Sequence, residues 1–193
     1  MARRGQCRRS ADKEMIINNK HKLGFGIIGC GMISLLSIDC ISVSRISHPR
    51  DRFVIGEFLR TVVKSVDREN RRIYVSHREL LGTWEENVAH FEIGQTVAGV
   101  VRSVEDYGVF VELTPNLAGL AEYREDVVPG QSVSVYIKNI IPGRMKLKLV
   151  IIDTCGIEPL RRKLNYYVSE QTGHLDRWSY SPRGANRVIE SVF

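Results

Sequence analysis

The sequence lacks the features that identify most catalytic, membrane-spanning and disulfide-bonded proteins. Its four cysteines, among 193 residues, form no Cys-x-x-Cys pair, and none of its five histidines lies at metal-ligand spacing from them. No apolar run approaches the roughly 18 residues that a membrane-spanning helix needs. A Gly-Lys-Ser phosphate loop and a Gly-x-Ser-x-Gly elbow are also missing. We therefore expect a cytoplasmic protein with reduced thiols that is not an enzyme and uses no metal, cofactor, membrane or small-molecule substrate.

Positive charge is concentrated at one end of the chain. The formal net charge is +6 at pH 7, of which residues 1–22 contribute +5, residues 23–152 contribute nothing and residues 153–193 contribute +1. The arginines of this basic N-terminal arm either contact phosphates electrostatically or remain solvated, and the pattern does not decide between the two. Any argument for nucleic-acid binding must therefore come from the rest of the sequence.

Alternation of apolar and polar residues predicts short antiparallel strands in the second half of the chain. Around Phe110 the aliphatic residues face one side, which places the aromatic ring on the opposite, polar side. The alternation breaks between Val101 and Val104, as it does at a β-bulge, and a bent strand of this kind is typical of small closed barrels. The five predicted strands are 96–104, 107–113, 117–122, 132–140 and 145–152.

An imperfect copy of the same plan precedes this barrel. Residues 54–57 and the strand after them parallel residues 128–131 and the strand after those, at a constant offset of 74. The hairpin that leads into residues 72–76 also matches the one that leads into residues 144–148. The upstream copy has no good first strand, so the repeat predicts an incomplete barrel followed by a complete one.

Helical patterns flank the complete barrel. Residues 79–91 are charged and mixed, and in the tail Pro159 and Gly173 mark the start and the end of an expected helix. The predicted fold is therefore mainly β, with tandem five-stranded barrels and a helical C-terminal extension. Its segments are a basic arm at 1–22, an incomplete barrel domain at 23–78, a linker at 79–91, a complete barrel at 92–152 and the helical extension at 153–193.

Several short motifs resemble the S1 RNA-binding domain family, which has the OB fold and takes its name from a ribosomal protein. In the downstream copy they are Gly94-Gln95-Thr96-Val97, Asp106-Tyr107-Gly108-Val109-Phe110-Val111, Leu117-Ala118-Gly119-Leu120 and Val128-Pro129-Gly130-Gln131. In the upstream copy, residues 67–78 resemble the hairpin between the fourth and fifth strands of such domains. Together the two copies resemble a bacterial S1-like protein of the small (30S) ribosomal subunit, or a fragment of one.

The resemblance implies a barrel whose outer face stacks the bases of single-stranded RNA on aromatic rings, while basic side chains contact phosphates. Tyr107 and Phe110 match the two aromatic positions of the second strand, and Gly108 between them permits the distortion that brings both rings to one face. Arg144 matches a basic position at the start of the fifth strand. Tyr107, Phe110 and Arg144 are the predicted RNA-binding residues, with no catalytic or metal-binding residue. The implied partners are single-stranded or messenger RNA and the small ribosomal subunit, in translation.

The sequence also departs from the family pattern. Glu122 stands where the family often has histidine, which reduces the stacking capacity at the end of the third strand. The connection at residues 123–127 is shorter than usual, so part of the rim beside the ligand is reduced. In the upstream copy, Phe25 is the only ring at the corresponding aromatic positions.

Other residues have structural interpretations that compete with RNA binding. Exposed rings such as Tyr107 and Phe110 also brace neighbouring domains in many proteins. Tyr136 is equally compatible with cross-strand packing, and Lys146 and Lys148 with a solvated face. We expect a buried, hydrogen-bonded role for His77, and packing of the tail against the barrel for Trp178, Tyr166, Tyr167 and Tyr180.

A second function remains open at this stage. The downstream barrel is close to neutral, so it and the tail could form a protein-interaction module that docks on a ribosomal or nuclease partner, with incidental affinity for RNA. Removal of the two rings or of the basic arm would distinguish this interpretation from RNA binding.

Overall fold

The computed structural model describes residues 23–28, 32–155, 164–168 and 174–193. The basic arm at 1–22 and most of the helix expected between Pro159 and Gly173 lie outside the described residues. The described part is mainly β, as the sequence predicts. Within it, no helix is long and apolar enough to cross a membrane.

The first half of the chain forms a mixed four-stranded sheet. Its strands are β1 (Leu23–Ile28), β2 (Met32–Ser37), β3 (Val62–Asp67) and β4 (Arg72–Ser76). Their order is β1-β2-β4-β3, and β2 and β4 are parallel. The long connection between β2 and β3 packs on one face of the sheet, because its apolar side chains share a core with the strands. That core contains Leu36, Ile41, Phe53, Leu59, Ile73 and Val75.

The second half forms a closed five-stranded barrel. Its strands are β5 (Thr96–Glu105), β6 (Gly108–Thr114), β7 (Leu117–Ala121), β8 (Ser132–Ile141) and β9 (Lys146–Thr154). The order around the barrel is β5-β6-β7-β9-β8, with β7 and β9 parallel. The predicted barrel and its five strands are confirmed, and so is the bulge, which lies between Val101 and Ser103. The alternating inward residues fill the core, including Val101, Val109, Val111, Leu117, Val133, Val135, Ile137 and Leu147.

The described strands of the first sheet correspond to four of the five strands of the barrel. The order β1-β2-β4-β3 matches the order β6-β7-β9-β8, and the described residues contain no counterpart of β5. In the barrel, β5 pairs with the first half of β8, from Ser132 to Tyr136. The corresponding residues 58–61 of the first sheet are not in a strand, since no described strand pairs with them. As a result β8 has ten residues and β3 only six. The predicted first barrel, expected to be incomplete, is not confirmed as a barrel: in the described residues the first copy is an open sheet.

The segment between the two sheets is helical, as predicted, but it is not a free linker. A short 3-10 helix at Arg78–Leu81 precedes helix α1 (Trp84–Val88). Thr83 caps α1, because its hydroxyl accepts from the Glu86 backbone N–H at 3.2 Å and the Glu86 carboxylate accepts from the Thr83 N–H at 2.7 Å. Trp84 is 2% exposed and belongs to the core cluster of the barrel. The segment therefore fixes the first sheet to the barrel.

The tail differs from its prediction. Among the described tail residues, 164–168 and 174–193, there is no helix, and strands β10 (Arg177–Ser179) and β11 (Glu190–Val192) form an antiparallel hairpin. Trp178 and Tyr180 are buried while Ser179 between them is exposed, and this period of two is that of a strand. The predicted packing of Trp178 and Tyr180 against the barrel is confirmed, since both lie in its core cluster. The prediction of a helical C-terminal extension is therefore wrong for these residues.

Candidate nucleic-acid interface

Two aromatic rings lie together on the outer face of the barrel. Tyr107, in the turn between β5 and β6, is 69% exposed, and Phe110 on β6 is half-buried. Their ring centroids are 6.1 Å apart with an interplanar angle of 86°, an edge-to-face arrangement. Gly108 has φ +149°, and a Cβ there would lie 2.4 Å from the backbone oxygen of Ala121. A side chain at position 108 would collide with β7, so the backbone path that joins the two rings requires glycine.

A row of side chains crosses the barrel from the Phe110 ring. Phe110 pairs with Leu120 on β7, and Leu120 pairs with Lys148 on β9. Laterally paired residues point to the same side of a sheet, so the row joins a ring, an aliphatic side chain and an exposed ammonium group. Lys148 lies two strands from Phe110, roughly 10 Å at the usual strand spacing. The sequence had shown Lys148 facing outwards, but only the strand order places it beside the rings.

Arg144 lies in a different place. It is exposed in the 3-10 turn Pro142–Arg144 between β8 and β9, four residues before Lys148. Since β9 runs parallel to β7, this turn is beyond the Phe110 row, towards the end of the barrel where β7 begins. The structure therefore brings Tyr107 and Phe110 together but does not bring Arg144 beside them. A role for any of the three in RNA binding stays a prediction.

The acid at the end of β7 is partly offset by a neighbouring base. Glu122 follows β7 and faces Lys138 of β8, with 3.9 Å between a carboxylate oxygen and Nζ. Both side chains are largely exposed, so this pair contributes little to stability. Its effect is local: the negative charge of Glu122 has a positive charge beside it.

Glu112 on β6 also points outwards, but the first half of the chain covers it. Its carboxylate accepts hydrogen bonds from Arg52 at 2.6 and 2.8 Å and from Arg102 at 2.8 and 3.0 Å. Burial alone would raise the pKa of Glu112, but the hydrogen bonds and charges of the two arginines lower it below its ordinary value. The polar face predicted for β6 is therefore accessible only towards Phe110.

Asn116, in the turn between β6 and β7, closes one end of the barrel. Its side-chain oxygen accepts from the Val43 backbone N–H at 3.0 Å. Its amide donates to the carbonyl oxygens of Arg78 and Gly82 at 2.9 and 2.7 Å. The Tyr180 hydroxyl donates to its backbone oxygen. Because the first half of the chain, the linker and the tail all meet at this turn, the open outer surface lies around the Phe110 row.

His77 has the buried structural role that the sequence predicts. It is 0% exposed, its Nδ1 donates to the Ile41 carbonyl oxygen at 2.9 Å, and the Tyr166 hydroxyl lies 3.4 Å from Nε2. Burial lowers the pKa of His77 to about 4, against 6.5 for an exposed histidine. A neutral, hydrogen-bonded imidazole in this position is part of the core. Among the described residues, no group of His, Cys, Asp or Glu side chains could hold a metal ion.

The chain is similar in sequence to bacterial ribosomal proteins. Small ribosomal subunit protein bS1 of Rhizobium meliloti is 26% identical over 155 residues, which cover 79% of this chain and 26% of that protein. The bS1 protein of Chlamydia trachomatis is 30% identical over 134 residues, which cover 63% of this chain and 24% of that protein. The matched region thus spans about a quarter of the length of these two bS1 relatives. No family model matches the chain.

One similar protein is an enzyme. The 4-hydroxy-3-methylbut-2-enyl diphosphate reductase of Clostridium acetobutylicum is 33% identical over 96 residues, which cover 49% of this chain and 15% of the enzyme. The similarity is therefore to a small part of that protein.

Two solved structures share a more distant likeness. A multidomain protein with nucleic acid binding domains from Streptococcus pneumoniae has a TM-score of 0.32 and 16% identity, covering 72% of this chain and 50% of that one. Apo RNase R of Mycoplasma genitalium has a TM-score of 0.26 and 10% identity, covering 75% of this chain and 21% of that one. Both scores are low, so the fold assignment rests on the strand order of the barrel.

Proposed function

Because the chain resembles the bS1 ribosomal proteins and contains an S1-type barrel, we propose that it binds single-stranded RNA, including messenger RNA, in translation. The observation that supports this most is the pair of rings, Tyr107 and Phe110, on the open outer face of the barrel. The proposed site consists of these two rings and Lys148, which shares the Phe110 row. Arg144 is a further phosphate contact outside that row.

The chemistry of this face suits unpaired bases. Stacking on a protein ring contributes roughly 1–3 kcal/mol per base and tolerates many sequences, because every base has an aromatic face. Bases in a duplex are already stacked on each other, so the two rings favour single strands. The site combines two rings with one ammonium group, and residues 23–152 carry no net charge. Its affinity should therefore depend on stacking more than on charge.

The proposed action is capture of RNA without covalent chemistry. The similarity to the reductase covers 15% of that enzyme, which is compatible with a module shared between proteins of different activities. We place the protein in the cytoplasm and in contact with the small ribosomal subunit, because its bS1 relatives are named as proteins of that subunit. The first sheet, which has the barrel's strand order without the first strand, is proposed to be an incomplete S1-type copy.

Titration of labelled single-stranded RNA tests the proposal. The wild type is compared with Tyr107→Ala/Phe110→Ala and with a control, Phe58→Ala/Tyr74→Ala, which removes two exposed rings from the first half of the chain. Loss of the proposed site should weaken binding by roughly 30-fold or more, since two stacking contacts are removed. The control should bind as the wild type does.

Deletion of residues 1–22 separates the barrel from the basic arm. We expect the truncated protein to retain most of its affinity at physiological salt. If the deletion alone abolishes binding, or if Tyr107→Ala/Phe110→Ala binds as tightly as the wild type, the barrel is not the RNA-binding element. Docking on a protein partner would then be the better interpretation.

A further inference from the structure

The tail contacts the barrel at the turn that contains Arg144. The backbone N–H of Asn186 donates to the carbonyl oxygen of Gly143 at 3.0 Å. Gly143 directly precedes Arg144, and Asn186 directly precedes Arg187. The loop between β10 and β11 therefore lies against the hairpin between β8 and β9. The loop itself belongs to the tail and lies outside the five strands of the barrel.

The position of this loop is fixed by the core below it. Trp178 and Tyr180, which lead into the loop, are 7% and 5% exposed in the core cluster of the barrel. The Tyr180 N–H donates to the Ile189 carbonyl oxygen at 2.9 Å, and the Ile189 N–H donates to the Ser181 hydroxyl at 2.8 Å. A turn closed by Ala185 N–H and the Pro182 oxygen at 3.2 Å shapes the loop itself. The barrel therefore holds the loop in place.

Three arginines lie on the two segments that this hydrogen bond joins. Arg183 and Arg187 are exposed on the loop, and Arg144 is exposed on the adjoining turn. In the described part of the chain, no carboxylate forms an ion pair with any of them. Arg177, at the base of the same hairpin, differs because its guanidinium donates to Glu190 at 3.1 Å. These three residues, which we call the arginine cluster, add positive charge to one end of a barrel that is otherwise close to neutral.

Two lysines connect the arginine cluster to the ring pair. Lys146 and Lys148 follow Arg144 along β9, and both are exposed because the leucines between and after them face the core. Alternate residues of a strand are roughly 7 Å apart, so β9 presents evenly spaced ammonium groups along its outer side. A continuous basic strip thus runs from the arginine cluster to the Phe110 row.

We propose that the arginine cluster is a second binding site for the same RNA strand, and that it recognises the phosphodiester backbone. This inference rests on the proposed function. Guanidinium groups bind phosphate oxygens through two parallel hydrogen bonds, and the strip along β9 leads the strand from the rings to the tail. The cluster contains no aromatic ring, so it adds affinity without base preference. The tail thereby lengthens the site beyond the barrel.

The test compares short and long RNA at several salt concentrations. The probes are oligouridylates of about 4 and about 16 nucleotides, the range of site sizes for one OB fold. The variant Arg183→Gln/Arg187→Gln is matched with Arg50→Gln/Arg68→Gln, which removes two exposed arginines from the first half of the chain. For the long probe, loss of two phosphate contacts should reduce the slope of log K against log salt by about 1.4. The short probe and the matched variant should be unaffected.

Each other outcome is decisive. If both variants give the wild-type salt slope for the long probe, or if both lower that slope by the same amount, the arginine cluster is not a specific site. If the tail variant loses affinity for polyglutamate but not for RNA, the cluster binds acidic protein segments and the inference is wrong. The variant Tyr107→Ala/Phe110→Ala, measured in parallel, distinguishes the two proposals. RNA binding that depends on the rings but not on Arg183 and Arg187 overturns only the inference about the tail.

Discussion

Buried polar residues lie where the two halves of the chain meet. The side chains of Arg52 and Glu112 are each 6% exposed and that of Arg102 is 15% exposed. The desolvation of such groups opposes folding, and their mutual hydrogen bonds offset it. In the described residues Nε of Arg52 has no hydrogen-bond partner, so the group is nearly but not fully satisfied. This ion-pair network fixes how the first sheet sits on β6.

Replacing Glu112 should therefore be costly. Glu112→Ala would leave two arginines buried without a counter-charge, and we expect the free energy of unfolding to fall by about 3–5 kcal/mol. The control is Glu122→Ala, whose side chain is 84% exposed and should change stability by less than about 0.5 kcal/mol. Urea denaturation measures both. Equal stabilities of the two variants would show that the network does not hold the interface.

His77 should make stability depend on pH. In the unfolded chain its pKa is near 6.5, whereas in the folded protein burial lowers the pKa to about 4. The unfolded state therefore binds the proton first, and stability present above pH 6.5 is lost as the pH falls towards 4. The loss attributable to His77 is about 3 kcal/mol at most. Arg52, Glu79 and Tyr166 surround the imidazole, and Glu79 and Arg52 act on it in opposite directions.

Unfolding free energies at several pH values test this. His77→Gln should show a shallower dependence on pH between 6.5 and 4 than the wild type. Glu112 does not mimic the effect, because the two arginines hold its pKa below the ordinary carboxyl value and its contribution is lost only at lower pH. Parallel curves for the wild type and the variant would contradict a neutral buried imidazole.

Among the structural elements, the turn into β6 determines the geometry of the ring pair. Gly108→Ala would place a Cβ 2.4 Å from the Ala121 oxygen at a φ that side chains rarely adopt. We expect a loss of about 1–3 kcal/mol in stability and a separation of Tyr107 from Phe110. Gly143→Ala is the matched control, since a Cβ there meets nothing within 4 Å. Thermal melts and RNA titration of both variants check the prediction. Equal effects would mean that the turn is not constrained.

The elements differ in how well the sequence predicts them. The barrel strands follow from local alternation, because each inward residue is buried whichever strand is its neighbour. The tail does not, since Pro159 and Gly173 suggest the ends of a helix, while Trp178 and Tyr180 belong to a strand that is too short to recognise. Strand pairing explains the rest. No described strand extends the short β3, and the position of Arg144 relative to the rings depends on the register between β7 and β9. Such non-local contacts leave no period in the sequence.

At the scale of the whole molecule, the described segments form one connected structure. Arg52 of the first half contacts Glu112, Trp84 of the linker enters the barrel core, and Tyr180 of the tail bonds to Asn116. These contacts cover one side and one end of the barrel and leave the face around Phe110 open. The tail then adds a positive loop at the turn between β8 and β9, beyond that face. Sequence alone predicts the rings, but only the assembled molecule shows which part of the barrel surface is accessible.

Photo-crosslinking tests the central claim most directly. Single-stranded RNA containing 4-thiouridine is bound to the full chain, irradiated and digested, and the linked residues are identified by mass spectrometry. Crosslinks should map to Tyr107, Phe110 and the outer side of β9 around Lys148, and an excess of unlabelled single strand should abolish them. Crosslinks confined to residues 1–22, or to Phe58 and Tyr74 of the first half, would contradict RNA binding by the outer face of the barrel.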